Sequence, residues 1–314
     1  MDIIGPEQLV FGVEDLDESL KFATDFGLIK AEGVASGGVW ESADGTSMKI
    51  LRASDIGLAR PNAPSPNIRE AIYGVRNAAT LQAIGAELSK DREVTMDAEG
   101  TIHSRDDDDY AIGFRIANRR PTGLPHYGVN VPGQEPGRGV NIIAARDEDR
   151  CQPLTLSHLV LFVHDKHKAE KFYTERLGFV TVDVFTNLGP FMRPAGTHEH
   201  HTLFLVEVPF RGVEHFAFHV AGANELLKSG WELTQKKGYT SPWGPGRHIL
   251  GSNYFWYFNS PFGGKWEIDA DMDIHDDHWV PRRMASVAET SQIFHFKSYR
   301  KYHPTEDLPH LTSK

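Results

Sequence analysis

Hydrophobic and polar positions along this chain change several times from a strand-like to a helix-like period. The apolar runs "LVFGV" (9–13) and "LVLFV" (159–163) predict buried strands, and each run leads into an amphipathic helical pattern. Gly27 and Gly178 follow these patterns, at the position where a glycine often ends a helix. Several strand-like runs come next in each copy. The recurring unit is therefore predicted to be a strand, a helix and about three further strands.

The chain carries an internal duplication. At an offset of 150 residues, "QLVFGVEDLDESLKFAT" aligns with "HLVLFVHDKHKAEKFYT", and a weaker repeat within each half begins at Glu70 and at Glu214. Four βαβββ modules in two α+β domains follow from this, each domain curling into a half-open barrel around a cavity. The predicted domains are residues 1–145 and 146–290, with residues 291–314 as a C-terminal tail.

Composition and charge restrict the kinds of partner. The chain has 314 residues, 40% of them hydrophobic, and a net charge of −10 with dispersed basic residues. These values predict a soluble globular protein with two cores and no nucleic-acid partner. The N-terminus lacks the basic start of a signal peptide, and no apolar run could span a membrane. The lone cysteine, Cys151, is typical of a reducing compartment, so we predict a cytoplasmic protein and an inert thiol.

Histidine is distributed unequally between the two halves. Only His103 and His126, of 16 histidines, lie in residues 1–150. Within the repeat, His158 stands where the first copy has Gln8, and His215 stands where it has Ala71. Both histidines begin the first strand of a module, and equivalent strands of a duplicated sheet face one cavity. The asymmetry predicts that the chemistry lies in the C-terminal half.

Glu267 supplies a third potential metal ligand on the same wall. It lies in the apolar run after "SPFGG", where an unpaired carboxylate would be costly. Two histidines and one carboxylate on one face of a metal leave three adjacent positions open, as in non-haem Fe(II) oxygenases. Taken singly, each residue has a simpler interpretation. His158 and His215 could be hydrogen-bonded core histidines, and Glu267 could lie exposed on the rim.

These motifs resemble a known enzyme family. In order and spacing, "LSHLVLFV", "HHTLFLVEV", "VEHFAFHV", "GPGRHILGSNYFWYF" and "SPFGGKWEIDAD" are similar to type I extradiol ring-cleaving dioxygenases of the vicinal oxygen chelate superfamily. The resemblance covers the C-terminal half, and the N-terminal half is similar to the family's metal-free domain. It implies a glyoxalase-like fold and an Fe(II) ion held by His158, His215 and Glu267.

The resemblance also implies roles for other residues of this half. His201 corresponds to the acid–base histidine, His248 to a hydrogen-bond donor near the metal, and Tyr257 to a tyrosine that contacts substrate oxygen. His248 and Tyr257 are also predicted to bind substrate. The alternatives are that His248 lies in a surface turn and that Tyr257 fills the core. Three more residues are predicted to line the ring pocket, with the core as the alternative for both aromatics: Trp243, Phe191 and Arg193.

The cluster "THEHH" contains three histidines within four positions. Adjacent strand residues point to opposite faces, so His200 and His201 are predicted to face opposite sides of the strand, with His198 on the side of His200. The spacing of the family selects His201 as the one that faces the cavity. We therefore predict that His198 and His200 are rim neighbours whose replacement has little effect. His275 and His278, flanked by acids, are predicted to lie in a solvated loop.

The activity implied is oxidative cleavage of an aromatic ring with O₂. The substrate would be a small aromatic diol or triol, that is a catechol or a trihydroxylated ring such as 2,4,5-trihydroxytoluene, and a homo-oligomer is expected. Mn(II) suits the same ligands as Fe(II). Two other classes fit the same fold. They are a metal-dependent isomerase or lyase, which consumes no oxygen, and a non-catalytic protein that binds small molecules.

Overall fold

A computed structural model describes residues 1–122, 128–144 and 151–296. His126, the predicted domain boundary at 145/146 and residues 297–314 of the predicted tail lie outside the described residues. None of the described helices is long and apolar enough to cross a lipid bilayer.

The N-terminal half forms one mixed sheet of eight strands. Each of its two modules contributes a strand, a helix and three strands, as the repeat predicts. The order across the sheet is β2-β3-β4-β1-β5-β8-β7-β6, so the first strands of the two modules pair antiparallel at its centre. The strands are β1 Ile3–Val13, β2 Ile29–Val34, β3 Gly37–Glu41, β4 Ser47–Arg52, β5 Asn67–Val75, β6 Thr95–Met96, β7 Ile102–Arg105 and β8 Ala111–Ile116.

The C-terminal half repeats this design and extends it to ten strands. The order is β17-β10-β11-β12-β9-β13-β16-β15-β14-β18, with β9 and β13 central. The described part of the predicted tail contributes β18, which pairs with β14. Its apolar pattern is too short to stand out in the sequence. The strands are β9 Thr155–Val163, β10 Phe179–Phe185, β11 Gly189–Pro194, β12 Leu203–Glu207, β13 Gly212–His219, β14 Trp243–His248, β15 Tyr254–Asn259, β16 Lys265–Ala270, β17 Arg282–Met284 and β18 Gln292–His295.

Each module helix starts next to the first strand of its module. The side chains of Asp15, Asn77 and Asp165 cap three of these helices by accepting hydrogen bonds from backbone amides of the first turn. Gly27 and Gly178 follow the first and third helices with positive φ, which glycine adopts without strain. The helices are α1 Leu16–Asp25, α2 Ala78–Leu88, α3 Lys166–Lys171, α4 Ala223–Trp231 and α5 Ala288–Ser291; π-helical turns extend α3 through Phe172–Arg176 and α4 through Glu232–Lys236.

The two sheets share one hydrophobic core, whereas the chain length predicts two separate cores. Buried side chains from both halves form a single continuous cluster. The ring of Phe11 lies 5.1 Å from that of Phe216, and the ring of Phe26 lies 5.0 Å from those of Phe258 and Trp266. Each half has an apolar sheet face that is turned away from the C-terminal cavity, and its helices are apolar on one side. These surfaces of the two halves cover one another, so a single core results.

His103 provides a test of the structural role of the N-terminal half. A hydrogen bond to Glu70, opposed by partial burial, raises the pKa of His103 to about 9. Because this folded-state pKa exceeds the unfolded value of about 6.5, the stabilisation is complete below pH 6.5 and is lost as pH rises through 9. Since the side chain is 30% exposed, we expect the contribution to be about 1 kcal/mol.

The measurement is the free energy of unfolding of wild type and His103→Gln at pH 6 and pH 9.5. We expect the difference between the two proteins to shrink at the higher pH by that amount, while turnover stays near wild type. A more than tenfold loss of turnover in a folded His103→Gln protein would contradict the assignment of chemistry to the C-terminal half.

Candidate functional site

Three adjacent strands bring His158, His215 and Glu267 together. His158 lies on β9, His215 on β13 and Glu267 on β16, and Ala217 of β13 pairs with both His158 and Glu267. The strand neighbours of these residues, such as Phe216 and Trp266, face the shared core. Alternation along each strand therefore turns the three polar side chains to the opposite face, where they are 1%, 6% and 1% exposed, respectively.

The donor atoms of these three side chains converge on one point. The Nε2 atoms of His158 and His215 lie 3.1 Å apart, and Glu267 Oε2 lies 3.0 Å from the first and 3.1 Å from the second. They form a group able to hold a metal ion among the described residues.

The residues behind the histidines determine which ring nitrogen carries the proton. Ser157 donates its O–H to Asp269, so at 2.8 Å it accepts the Nδ1–H of His158. The carboxylate of Glu214 can only accept, so it takes the Nδ1–H of His215. Both Nε2 atoms are then unprotonated in the neutral rings.

Two imidazole lone pairs and one carboxylate oxygen thus face one another in a buried space. Such an arrangement is repulsive unless a cation lies between them, and imidazole and carboxylate are the donors that suit Fe(II) and Mn(II). The residues present therefore fit a divalent transition-metal ion, with both histidines held in the ligating tautomer.

The three converging side chains line a cavity in the C-terminal half. Phe191 stacks on Phe204 at 3.9 Å between ring centroids and forms part of an apolar wall. Five further aliphatic and aromatic residues belong to this apolar wall: Val160, Phe185, Leu188, Val206 and Leu250.

The predicted acid–base and substrate residues also line this cavity. The ring of His201 lies 4.3 Å from that of His158, and burial lowers the pKa of His201 well below its ordinary value. Nε2 of His248 lies 3.3 Å from the hydroxyl of Tyr257 and 3.8 Å from a carboxylate oxygen of Glu267. The structure therefore brings these three residues close to His158, His215 and Glu267. The ring of Trp243 stacks on that of Tyr257, with 5.0 Å between their centroids.

Two predicted placements are wrong. Arg193 does not line the cavity, because its guanidinium is buried and paired with Asp277 at 2.7 Å. His200 is not a rim residue, since it is fully buried and hydrogen-bonded to Asp183 and His201. Strand alternation does not apply to it, because β12 begins only at Leu203.

The other histidines of the C-terminal segment agree better with the sequence. His198 and His278 are exposed, as predicted for a rim and a loop. His275 is half-buried instead, and its ring stacks on Trp279 at 3.8 Å. Cys151 is buried, which raises the pKa of its thiol to about 11.

Sequence reasoning missed several cavity residues. Asn253 lies 3.5 Å from Glu267 through its amide nitrogen, and Ser286 and Ser291 line the cavity from the segment between β17 and β18. The sequence does give a signal for Asn253, because this residue directly precedes the strand that carries Tyr257. The two serines carry none, because their segment has no counterpart in the first half.

Part of the C-terminal half is similar to one described protein family. Residues 155–268 match the Glyoxalase/Bleomycin resistance protein/Dioxygenase superfamily. The matched residues run from the first residue of β9 into β16. His158, His215 and Glu267 all lie within the matched residues, and the preceding half of the chain repeats the βαβββ modules.

Among individual proteins, metapyrocatechase 2 of Cupriavidus necator is similar to this chain. The two are 37% identical over 138 residues, which are 44% of this chain and 43% of that protein. The chain thus covers less than half the length of that relative.

Several solved structures share the fold over nearly the whole chain. The Mn(II)-bound glyoxalase from Novosphingobium aromaticivorans covers 96% of this chain and 94% of its own, with a TM-score of 0.74 and 18% identity. A halotolerant catechol dioxygenase covers 98% of this chain and 97% of its own, with a TM-score of 0.72 and 16% identity. The 2,2′,3-trihydroxybiphenyl 1,2-dioxygenase from Sphingomonas wittichii covers 94% of this chain and 99% of its own, with a TM-score of 0.68 and 16% identity.

Proposed function

We propose that this protein is an Fe(II)-dependent extradiol dioxygenase that cleaves the ring of an uncharged, substituted catechol or trihydroxylated benzene. The observation that carries the proposal is the convergence of His158, His215 and Glu267 at the polar end of an apolar cavity, with His201 beside them. The likeness to a protein named metapyrocatechase and to structures titled catechol dioxygenase supports the same reaction class.

His158, His215 and Glu267 would hold the metal. When bound, Fe(II) would supply Lewis acidity that makes the diol hydroxyls more acidic, together with redox chemistry for O₂. Both oxygen atoms enter the product and one ring carbon–carbon bond breaks, so the reaction consumes no other reactant. The apolar wall excludes water around the ring.

Proton transfer is assigned to His201. A buried imidazole beside the ligand group accepts a proton from the second substrate hydroxyl and later returns it to an oxygen of the product. His248 ends β14 and Tyr257 lies within β15, and their paired nitrogen and hydroxyl orient the substrate oxygens by hydrogen bonds. Trp243 keeps the phenol ring of Tyr257 in place by stacking.

The lining of the cavity defines the class of substrate. None of the described lining residues is a lysine or an arginine, so a carboxylated catechol would find no cationic partner. Phe191 and Phe204 offer apolar surface for the ring and for an alkyl or aryl substituent. A methyl-substituted triol such as 2,4,5-trihydroxytoluene belongs to this class.

The test is anaerobic reconstitution with Fe(II), followed by oxygen uptake on a panel of catechols. We expect one O₂ consumed per ring opened, with alkyl- and aryl-substituted diols and triols favoured over a carboxymethyl catechol by about tenfold or more in kcat/KM. Repeating the assay with Mn(II) shows which metal supports turnover.

Two results would overturn the proposal. Conversion of a substrate without oxygen uptake would identify a metal-dependent isomerase or lyase, and failure to hold a metal would identify a protein that only binds small molecules. Cytoplasmic location and homo-oligomerisation stay predictions from the sequence.

A further inference from the structure

A line of buried hydrogen bonds leads away from the cavity behind His201. Nδ1 of His201 lies 2.9 Å from Nδ1 of His200, and Nε2 of His200 lies 2.7 Å from a carboxylate oxygen of Asp183. Asp183 in turn accepts from the backbone amide of Arg282 at 2.7 Å and from its guanidinium at 2.6 Å. Asp183 and His200 are both 0% exposed, so water does not compete for these bonds.

The charges along this line determine which atom donates in each bond. Burial acts to raise the pKa of Asp183, but hydrogen bonds from His200 and Arg282 outweigh it and lower the pKa to about 2. The ionised carboxylate only accepts, so Nε2 of His200 carries a hydrogen. Burial lowers the pKa of His200, which leaves the ring neutral with an unprotonated Nδ1.

The consequence for His201 is a single tautomer. Because Nδ1 of His200 is an acceptor, Nδ1 of His201 must carry the hydrogen and donate it. The lone pair of His201 is then on Nε2, the nitrogen on the far side of the ring from His200. No hydrogen bond within the described part of the chain occupies that Nε2 atom.

We propose that Asp183 and His200 are positioning residues that fix His201 in the tautomer whose Nε2 accepts the substrate proton. This inference rests on the proposed function, since it assigns His201 the role of base. The proton moves from a substrate hydroxyl oxygen to Nε2 of His201. The hydrogen on Nδ1 stays in place, its bond to His200 strengthens as the ring becomes cationic, and neither His200 nor Asp183 changes its protonation.

The kinetic test compares two replacements of similar size at position 200. In His200→Gln, the amide oxygen can accept from His201 and the amide nitrogen can donate to Asp183, so kcat should stay within about threefold of wild type. In His200→Leu, both bonds are lost, and kcat should fall about 10- to 100-fold with KM and bound iron nearly unchanged. The control is His198→Asn, an exposed position on the same segment, which should behave as wild type.

A second comparison separates positioning from a general structural role. If His200 acts only through His201, then adding His200→Leu to His201→Asn should lower kcat no further. A further loss in the double variant, or equal losses in His200→Gln and His200→Leu, would overturn the proposal.

The tautomer itself can be measured without catalysis. In metal-free protein labelled with ¹⁵N-histidine, the shifts of His201 should show hydrogen on Nδ1 and none on Nε2. Asp183→Asn offers an amide donor to His200 and should move the hydrogen of His201 to Nε2. A wild-type His201 ring protonated on Nε2 would refute the positioning role of His200 and Asp183. A protein with the expected tautomer but no oxygen uptake would refute the proposed function alone.

Discussion

A His201→Asn variant is expected to keep its full complement of iron and to lose on the order of 10²–10⁴ in turnover rate. His201 lies beside the ligand group but is not one of the three converging donors, so its removal takes away proton transfer and leaves the metal in place. The measurements are kcat by oxygen uptake and iron by elemental analysis of the same preparation.

His198→Asn is the matched control, because it changes the same residue type on the same segment at an exposed position. It should retain both iron and rate. A His201→Asn protein that has lost its iron would make His201 a ligand, and one that turns over within tenfold of wild type would remove it from the proposed chemistry.

A Glu267→Ala variant is expected to lose both metal and activity. Its carboxylate is the only anionic donor of the three, and replacing an outer-shell partner alone already weakens metal affinity by about 10- to 100-fold. We expect affinity for Fe(II) to fall by more than about 100-fold, with oxygen uptake at background. Fold is checked by circular dichroism, and one metal per wild-type chain is the reference.

Glu207→Ala serves as the control for this change. Glu207 lies on β12 in the same sheet, and its side chain is 39% exposed and paired with Lys166, away from the ligand group. It should bind one iron and turn over as wild type does. Full iron in Glu267→Ala, or two equivalents in wild type, would contradict the single site in the C-terminal half.

The sequence predicts most of this architecture because the duplication shows the hydrophobic pattern of each module twice. The exchange of Gln8 for His158 marks a candidate ligand position even without a structure, because the two residues occupy the same position in the repeat. Their side chains do line the concave side of their respective sheets.

The errors share a physical origin in contacts between segments far apart in the chain. Arg193 looks like a pocket cation, but Asp277, 84 residues away, neutralises it. His200 looks like a rim residue, but Asp183 and Arg282 enclose it. In both cases the partner belongs to, or is held by, the stretch after Asp271, which has no repeat to reveal its position.

From the aromatic cluster between the two sheets, we expect that the C-terminal half does not fold on its own. A fragment starting at Thr155 would expose the rings of Phe216, Phe258 and Trp266 that Phe11 and Phe26 cover in the full chain. Such a fragment should aggregate or unfold, while the intact chain should melt in one cooperative transition rather than two. Transplanting this site to another scaffold, or shortening the protein for expression, therefore requires that both halves travel together.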